Sequence, residues 1–462
     1  MNKNASGSIM IAALIVALIT GTLVGFFLKT VTQEINYAHR ARMAFQATNL
    51  AEAGIDQAIY AMNKKNWMYW ESGPDGYYRD SMKRLENDDW LHVSYSFRNE
   101  KRHIRMYIEP NPAPSAEPPK VIAEGIITLP GGATVSKQVY AELGNRSLWA
   151  NGLLAKDYVT FNGQGIMIDS YSSDPSINGG IYDNTLNRND EGTVASVSVF
   201  PDIISAGNAD IFGRVATGGD YENPNPPHVG PNGSIRGLLD PDKTVDTERI
   251  AYDFEAYLPD PNYPSLSSPE TTITGSTLGS TDTTTYYNLA SLNIAPNEEI
   301  DVEGHVVILV TGDVDIGGTL DLETGASIEF HVVGDFEVIG PKAAIVNPAG
   351  RPQDVMIFGL GKDDPSTTVD ETPQIKLAGN GSFYGAVYAP NYDVNLDGSG
   401  SSGEMFGAVV AGTITFAGGY QFHYDETLAG YESDLALKVT RWAELTEPGE
   451  RRNMNTILQD GL

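Results

Sequence analysis

The sequence predicts a mainly β fold: a long N-terminal transmembrane α-helix packed on a small antiparallel β-domain, then a right-handed parallel β-helix. Three observations lead there. A charge-free run of about twenty residues lies near the N-terminus. Alternating apolar and polar segments separated by turn formers follow it. The rest of the chain repeats short apolar pairs between glycine corners.

The chain has 462 residues, enough for two or three domains at roughly 150 residues each. Its 41% hydrophobic content, 48 Gly and 26 Pro indicate a turn-rich globular protein rather than a disordered one. The net charge of -30 is uneven: residues 1–146 hold 16 Lys/Arg and 14 Asp/Glu, and the remainder holds 14 bases and 46 acids. Such a field repels phosphate backbones, which argues against nucleic acid as a ligand, and attracts divalent cations or basic partners. The absence of cysteine removes disulfides, thiolate metal sites and thiol nucleophiles together.

The first element is the run IMIAALIVALITGTLVGFFL, Ile9 to Leu28. At about 1.5 Å per residue it spans a hydrocarbon core of about 30 Å. A secretory signal has a shorter apolar region followed by a small-residue cleavage site. Here Phe26, Phe27, Leu28 and Lys29 stand at that point. The helical pattern continues, because Thr30 to Asn63 has no Pro and only Gly54, with Ile35, Ala38, Phe45, Ala51, Ile55 and Met62 at helical spacings. One helix of about 80 Å results. Gly21 and Gly25 form a G-x-x-x-G that permits close helix approach in lipid. Only Lys3 precedes the span, whereas Lys29, Arg40, Arg42, Lys64 and Lys65 follow it. Charge alone therefore favours a cytoplasmic C-terminal side.

The leader MNKNASG, the segment SIMIAALIVALITG and the helix end AFQATNLAEAGIDQAIYAMN together resemble PilX-type and GspK-type minor pilins. That resemblance implies the opposite orientation, with a cytoplasmic leader (1–7), an N-terminal helix (8–63, span 9–28) and a small α+β head (64–146). It implies cleavage by a prepilin peptidase after Gly7, leaving Ser8 as the new N-terminus. The implied partners are the inner membrane and other major or minor pilins. The implied location is the inner membrane with the head outside the cytoplasm, then the pilus or cell surface. The family's acidic residue at the fifth mature position, which pairs with a neighbouring subunit's terminal amine, is replaced here by Ala12. A buried carboxylate is costly without a partner. A subunit at a pilus tip has no such amine above it, so Ala12 fits a tip or priming position. The plainer reading is an unprocessed N-terminal anchor.

The segments LHVSYSFR, HIRMYIEP, KVIAEGIITLP and TVSKQVYAEL read as four strands covering the end of the helix. The aromatic stretch WMYWESGPDGYY before them reads as a helix-to-sheet joint, with a sugar platform as the alternative. NPAPSAEPP, Asn111 to Pro119, reads as a long hairpin connection, and the domain boundary falls near 144–147.

From 147 to 440 the sequence has the rhythm of stacked coils. F-Y-G-A-V at Phe383 to Val387 recurs as M-F-G-A-V at Met405 to Val409, an offset of 22 residues, one plausible coil. Val314/Ile316, Leu320/Leu322, Ile328/Phe330 and Phe336/Val338 recur as in-facing pairs. Together with the closing GGYQFHYDETL, this part is similar to the polymer-forming, bactofilin-like β-helix domains. The Pro/Thr-rich stretch 221–285 breaks the rhythm and reads as a lateral loop whose tip meets partners; residues 441–462 read as a C-terminal tail.

One segment fits a calcium loop, D-x-[DN]-x-[DN]-G-x5-E: Asp393, Asn395, Asp397, Ser399 and Glu404. The competing reading is a strand with acids facing water and a Gly-rich corner. Acid pairs such as Asp313/Asp315 and Asp321/Glu323 share a face, as in a polysaccharide-cleaving β-helix, but basic partners are scarce around them. His423 and Tyr424 stand without a nucleophile motif, phosphate loop or H-E-x-x-H and read as structural.

The function expected is that of a non-enzymatic tip or priming subunit of a type IV pilus or related secretion filament. It would present its β-helix for assembly or adhesion to a surface or glycan receptor, with no required cofactor. The alternatives are a membrane-tethered β-helix enzyme acting on polysaccharide and a calcium-dependent binding module.

Overall fold

The computed structural model describes residues 5–63, 70–73, 76–80, 101–109, 119–129, 131–219, 224–242, 244–361, 372–378, 381–398, 403–431 and 433–453. They form two compact units, Met1–Gly144 with Leu437–Leu462, and Asn145–Ala436.

In the first unit one helix, Ala5–Asn63, has two halves of different character. From Met10 to Arg42 its residues are exposed, apart from the half-buried Val31. From Met43 onward a stripe of Met43, Ala47, Ala51, Ile55, Ala58 and Ala61 is buried. The stripe packs on Ile104, Met106, Ile108, Val121, Ala123, Ile127, Val139 and Ala141. Small residues set the closeness of this contact. A Cβ on Gly54 would meet Ile104 at 2.8 Å, and one on Gly125 would stand 2.0 Å from the Ala47 carbonyl oxygen.

Lys101–Glu109 pairs antiparallel with Lys120–Thr128, which pairs antiparallel with Thr134–Arg146. These are three of the four predicted strands; LHVSYSFR and most of NPAPSAEPP lie outside the described residues. The stretch before them supplies a small hairpin, Glu71–Gly73 with Gly76–Asp80, beside Lys101–Glu109. On the far edge, next to Thr134–Arg146, lies Ser433–Leu445. The tail expected from 441 is therefore a strand in its first residues. Leu435, Leu437, Val439, Ala443 and Leu445 alternate along it, a period-two signal overlooked in the sequence.

The second unit is built from parallel ladders. One column of in-register residues runs Tyr287, Ile308, Phe330, Ile357, Val387, Val409, Leu153, Val194, Val215, Ile250. A second runs Leu292, Val314, Phe336, Ile375, Val394, Ile414, Val159, Ile204. A third contains Phe383, Met405, Phe422, Ile168, Ile211, Ile235. The 22-residue repeat is seen directly, since Phe383 to Val387 pair one-to-one with Met405 to Val409. The predicted in-facing pairs from Val314 to Val338 are all buried.

The columns do not follow chain order. The chain enters the stack at Leu153, beside its last coil, builds away to Ile250, and resumes at the opposite end with Thr277–Leu289. It then works back until Gln421–Asp425 lies against Met167–Tyr171. Residues 252–276 are the return strap. Phe254 N donates to Thr217 O (3.0 Å) near one end. Tyr388 Oη donates to Pro259 O (2.7 Å) midway. Glu270 N donates to Tyr286 O (2.8 Å) at the other end. Nine strand spacings of about 4.8 Å make a path of about 43 Å, within reach of a strap of roughly 25 extended residues.

This corrects the expectation of a lateral loop over 221–285. His228–Val229, Ser234–Arg236, Ile250–Ala251 and Thr277–Leu289 are ladder strands. The strap lies along the stack with Phe254, Ala256, Leu258 and Ile273 packed on the core. Proline and threonine broke the repeat because the strap does not coil, and it has no projecting tip.

Candidate functional site

Gly7 and Ser8 lie in the first turns of the helix, which has no acidic residue in its first turn. Ala12 is exposed a little further on. No atom lies within 4 Å of a Cβ placed on Gly21 or Gly25, so the G-x-x-x-G face is open. The threonines of this half satisfy themselves: Thr20 Oγ1 donates to Val16 O (2.8 Å), Thr22 to Ile19 O (2.8 Å), Thr30 to Phe26 O (3.0 Å) and Thr32 to Leu28 O (2.8 Å). A segment whose polar groups bond within its own helix meets the condition for residence in hydrocarbon. It is long and apolar enough to cross a membrane.

The calcium-loop pattern takes a different shape. Asp393, Asn395 and Asp397 are alternate residues of the strand Ser382–Gly398, half-buried between Val394 and Leu396, which face the core. Along an extended strand Asp393 and Asp397 are about 13 Å apart, whereas calcium ligands sit about 2.3–2.6 Å from the ion. Their neighbours are ladder partners: Asp393 faces Gln374 and Thr413, and Asn395 faces Lys376 and Thr415. Thr413 Oγ1 donates to Asp393 Oδ1 at 2.5 Å. Glu404 opens the next strand and accepts from Ser382 Oγ (3.1 Å). Ser399 lies outside the described residues. The alternation that matched the loop pattern is the solvent face of a strand.

The acid pairs are ladder residues as well. Asp315 faces Glu337, Asp321 faces Asp301, and Asp313 Oδ1 accepts from Asp335 N at 3.0 Å. Among the described residues, no three His, Cys, Asp or Glu side chains converge on one point.

His423 and Tyr424 lead to the most elaborate polar cluster. In the strand Gln421–Asp425, Phe422 and Tyr424 face the core, and Tyr424 Oη donates to Trp149 O (2.8 Å). His423 and Asp425 therefore face outward, where residues 172–191 cover them. His423 Nδ1 lies 2.5 Å from Asp169 Oδ1, and both side chains are wholly buried. The other Asp169 oxygen accepts from Tyr182 Oη (2.8 Å) and lies 2.6 Å from Arg188 Nε. The imidazole packs against both Tyr182 (ring centroids 4.0 Å apart) and Phe406 (4.6 Å), which also touch each other (5.5 Å). Burial, reinforced by the Asp169 charge, pushes the Tyr182 phenol up. Asp425 accepts from Ser173 N and Oγ (3.0 and 2.7 Å) and from Thr427 N and Oγ1 (3.1 and 2.8 Å).

This arrangement clamps the cover 172–191 to the last coil. Asp169, Tyr182 and Arg188 had no sequence signal, because they meet His423 only through the pairing of Met167–Tyr171 with Gln421–Asp425.

The fold thus defines a class: a mainly β chain that carries one long apolar N-terminal helix and a large parallel stack. Residues 262–431 match a family model described as a domain of unknown function, DUF7305. No curated protein and no solved structure matches the chain. The matched stretch begins within the strap and covers the coils from Thr277 to the last one.

Proposed function

We propose that this chain is a tip or priming minor subunit of a type IV pilus or related secretion filament. Its helix anchors in the inner membrane, and its Asn145–Ala436 unit, a right-handed β-solenoid, is displayed outside the cytoplasm for assembly or adhesion. The observation that carries this reading is the division of one helix. Its first half exposes Met10, Ile11, Leu14, Ile15, Leu18, Leu23, Phe26 and Phe27, while its second half is sealed onto an antiparallel sheet. Uncovered apolar surface on this scale requires lipid or neighbouring helices. The sealed half is fixed to the sheet of its own unit by Ala47, Ala51, Ile55 and Ala58. Ala12 suits a subunit with no neighbour above it, and the right hand of the solenoid follows from the strong preference of parallel crossovers for that hand.

The test is the mature N-terminus in the native host. Mass spectrometry should find Ser8, with residues 1–7 removed. An intact Met1 on membrane-inserted protein would overturn the pilin reading in favour of a plain anchor.

A further inference from the structure

The half of the helix that no sheet covers carries a pattern along its length. Leu28, Val31, Ile35, Ala38, Arg42 and Phe45 follow one another at steps of three, four, three, four and three residues. Gly21 and Val24 continue the same steps into the span. This is the a/d spacing of a coiled-coil seam, in which apolar residues recur every 3.5 residues on average. Within the span nearly every residue is apolar, so the spacing carries information from Leu28 onward. There Lys29, Gln33, Glu34, Asn36 and Arg40 stand between the seam positions. Leu28 is 58% exposed, Ile35 62% and Phe45 68%, the last although Met43 and Ala47 beside it are sealed against the sheet. At about 100° per residue, the sheet-bound stripe lies about 150° around the helix from the seam. A second helix laid along the seam therefore approaches from the side away from the sheet.

The flanks of the seam say what covers it. With Leu28 and Ile35 at a and Val31 and Ala38 at d, Thr32, His39 and Gln46 fall at e, and Phe27, Glu34 and Ala41 at g. In a parallel pair of this same helix, each g residue meets the e residue five positions on in the other copy. Glu34 then meets His39 of the second copy, an acceptor against a donor. The neighbouring pairs, Phe27 with Thr32 and Ala41 with Gln46, carry no charge, so no like charges meet across the flanks. Gly21 lies in the seam and Gly25 beside it, and no atom stands within 4 Å of a Cβ on either, so the backbones can close in at the lipid end. Arg42 is the one charged seam residue, at the end near the sheet, where a long side chain turns its head to water. A polar residue at a single a position fixes register at a cost in stability. Orientation follows from the span, because two copies anchored by the same N-terminal segment in one bilayer run parallel.

We propose that residues 21–45 form an in-register, parallel coiled coil with a second copy of this chain, from within the span to the base of the sheet. This rests on the membrane anchoring in the reading above, but not on leader cleavage or on a filament, so pairing and pilus can fail separately.

The test uses the full chain in detergent micelles. It has no cysteine, so single cysteine substitutions report on their own positions. Under mild oxidation Val31→Cys and Ala38→Cys should each cross-link into a dimer, whereas Gln33→Cys and Arg40→Cys, on the outer face, should not. Sedimentation equilibrium should give a dimer. Ile35→Glu, which sets two carboxylates against each other in a dry seam, should weaken it at least about tenfold. Tyr37→Glu, at a position 70% exposed but off the seam, should leave it unchanged. Unfolding of the stack should not move in either variant, since both positions are exposed within one copy. Co-flotation with phosphatidylcholine liposomes reports the anchoring separately. A chain that floats yet stays monomeric overturns the pairing and leaves the anchor standing; a chain that does not float loses both. The pairing is also overturned by a dimer indifferent to Ile35→Glu, or by cross-links as strong at 33 and 40 as at 31 and 38, which mark crowding in one micelle. Cross-links formed only between unlike positions in mixed variants overturn it too, because they mark staggered packing.

Discussion

The helix-on-sheet unit and the parallel stack reach the same end, a dry core, by opposite choices of side chain. At the helix interface Ala47, Ala51 and Gly54 meet Ala123 and Gly125, so the backbones approach closely and little volume is left to fill. In the stack, Phe330, Phe336, Ile357, Ile375 and Phe416 are fully buried and bear on the residues one coil above and below. The first core should be intolerant of added atoms and the second of removed ones.

The largest effect is expected from Phe336→Ala, which opens a void between Val314 and Ile375. It should cost about 3–5 kcal/mol in urea unfolding of the stack transition. A loss under about 1 kcal/mol would mean that the stack repacks freely, and the contrast would fail. Gly125→Val comes next, at about 1–3 kcal/mol, because the new side chain collides with the Ala47 carbonyl. It should show as increased protease cleavage between 43 and 63 with the stack transition unmoved; unchanged cleavage would break the comparison from the other side.

Tyr388→Phe removes the buried hydroxyl that donates to Pro259 O. It should cost about 1 kcal/mol, and faster amide exchange along 252–276 would place the loss in the strap. The smallest effect concerns acid. Backbone and hydroxyl donors of Ser176 and Thr185 hold the Asp174 and Asp183 carboxyls below their ordinary value of 3.8. A lowered folded value means that the stabilisation is complete above pH 3.8 and is lost as pH falls through the folded values. Amide protection in 174–187, measured relative to the intrinsic exchange rate at each pH, should therefore fall below about pH 3.8 and stay flat above it, and Asp183→Asn should remove part of that dependence.

Much of the fold was legible because both periods are written locally. The helix follows from an unbroken apolar run and a small-residue stripe. The coils follow from pairs such as Phe336/Val338 and from the 22-residue echo between Phe383 and Met405. What stayed hidden was the order of the coils. Alternation specifies which face of a strand is buried but not which strand lies beside it. Nothing in LLAKDYVTFN names Val409 to Phe416 as its neighbour, although those residues pair with it directly.

The same ambiguity produced the calcium-loop match, since acids at alternate positions serve a cation loop and a wet strand face alike. The clamp around His423 was invisible for a related reason. Its parts come from two stretches that only the closing of the stack brings together.

The strap has a consequence for how the chain is made. Synthesis delivers residues 147–251 first, but their seat, Glu404–Gly418 and Gln421–Asp425, is delivered last. The early coils must therefore wait, with Leu153, Val159 and Ile168 bare on one side, until nearly the whole polypeptide has been made. Closure of that seam is the final event of maturation, and a chain halted anywhere before 404 leaves two unfinished edges instead of one shortened protein.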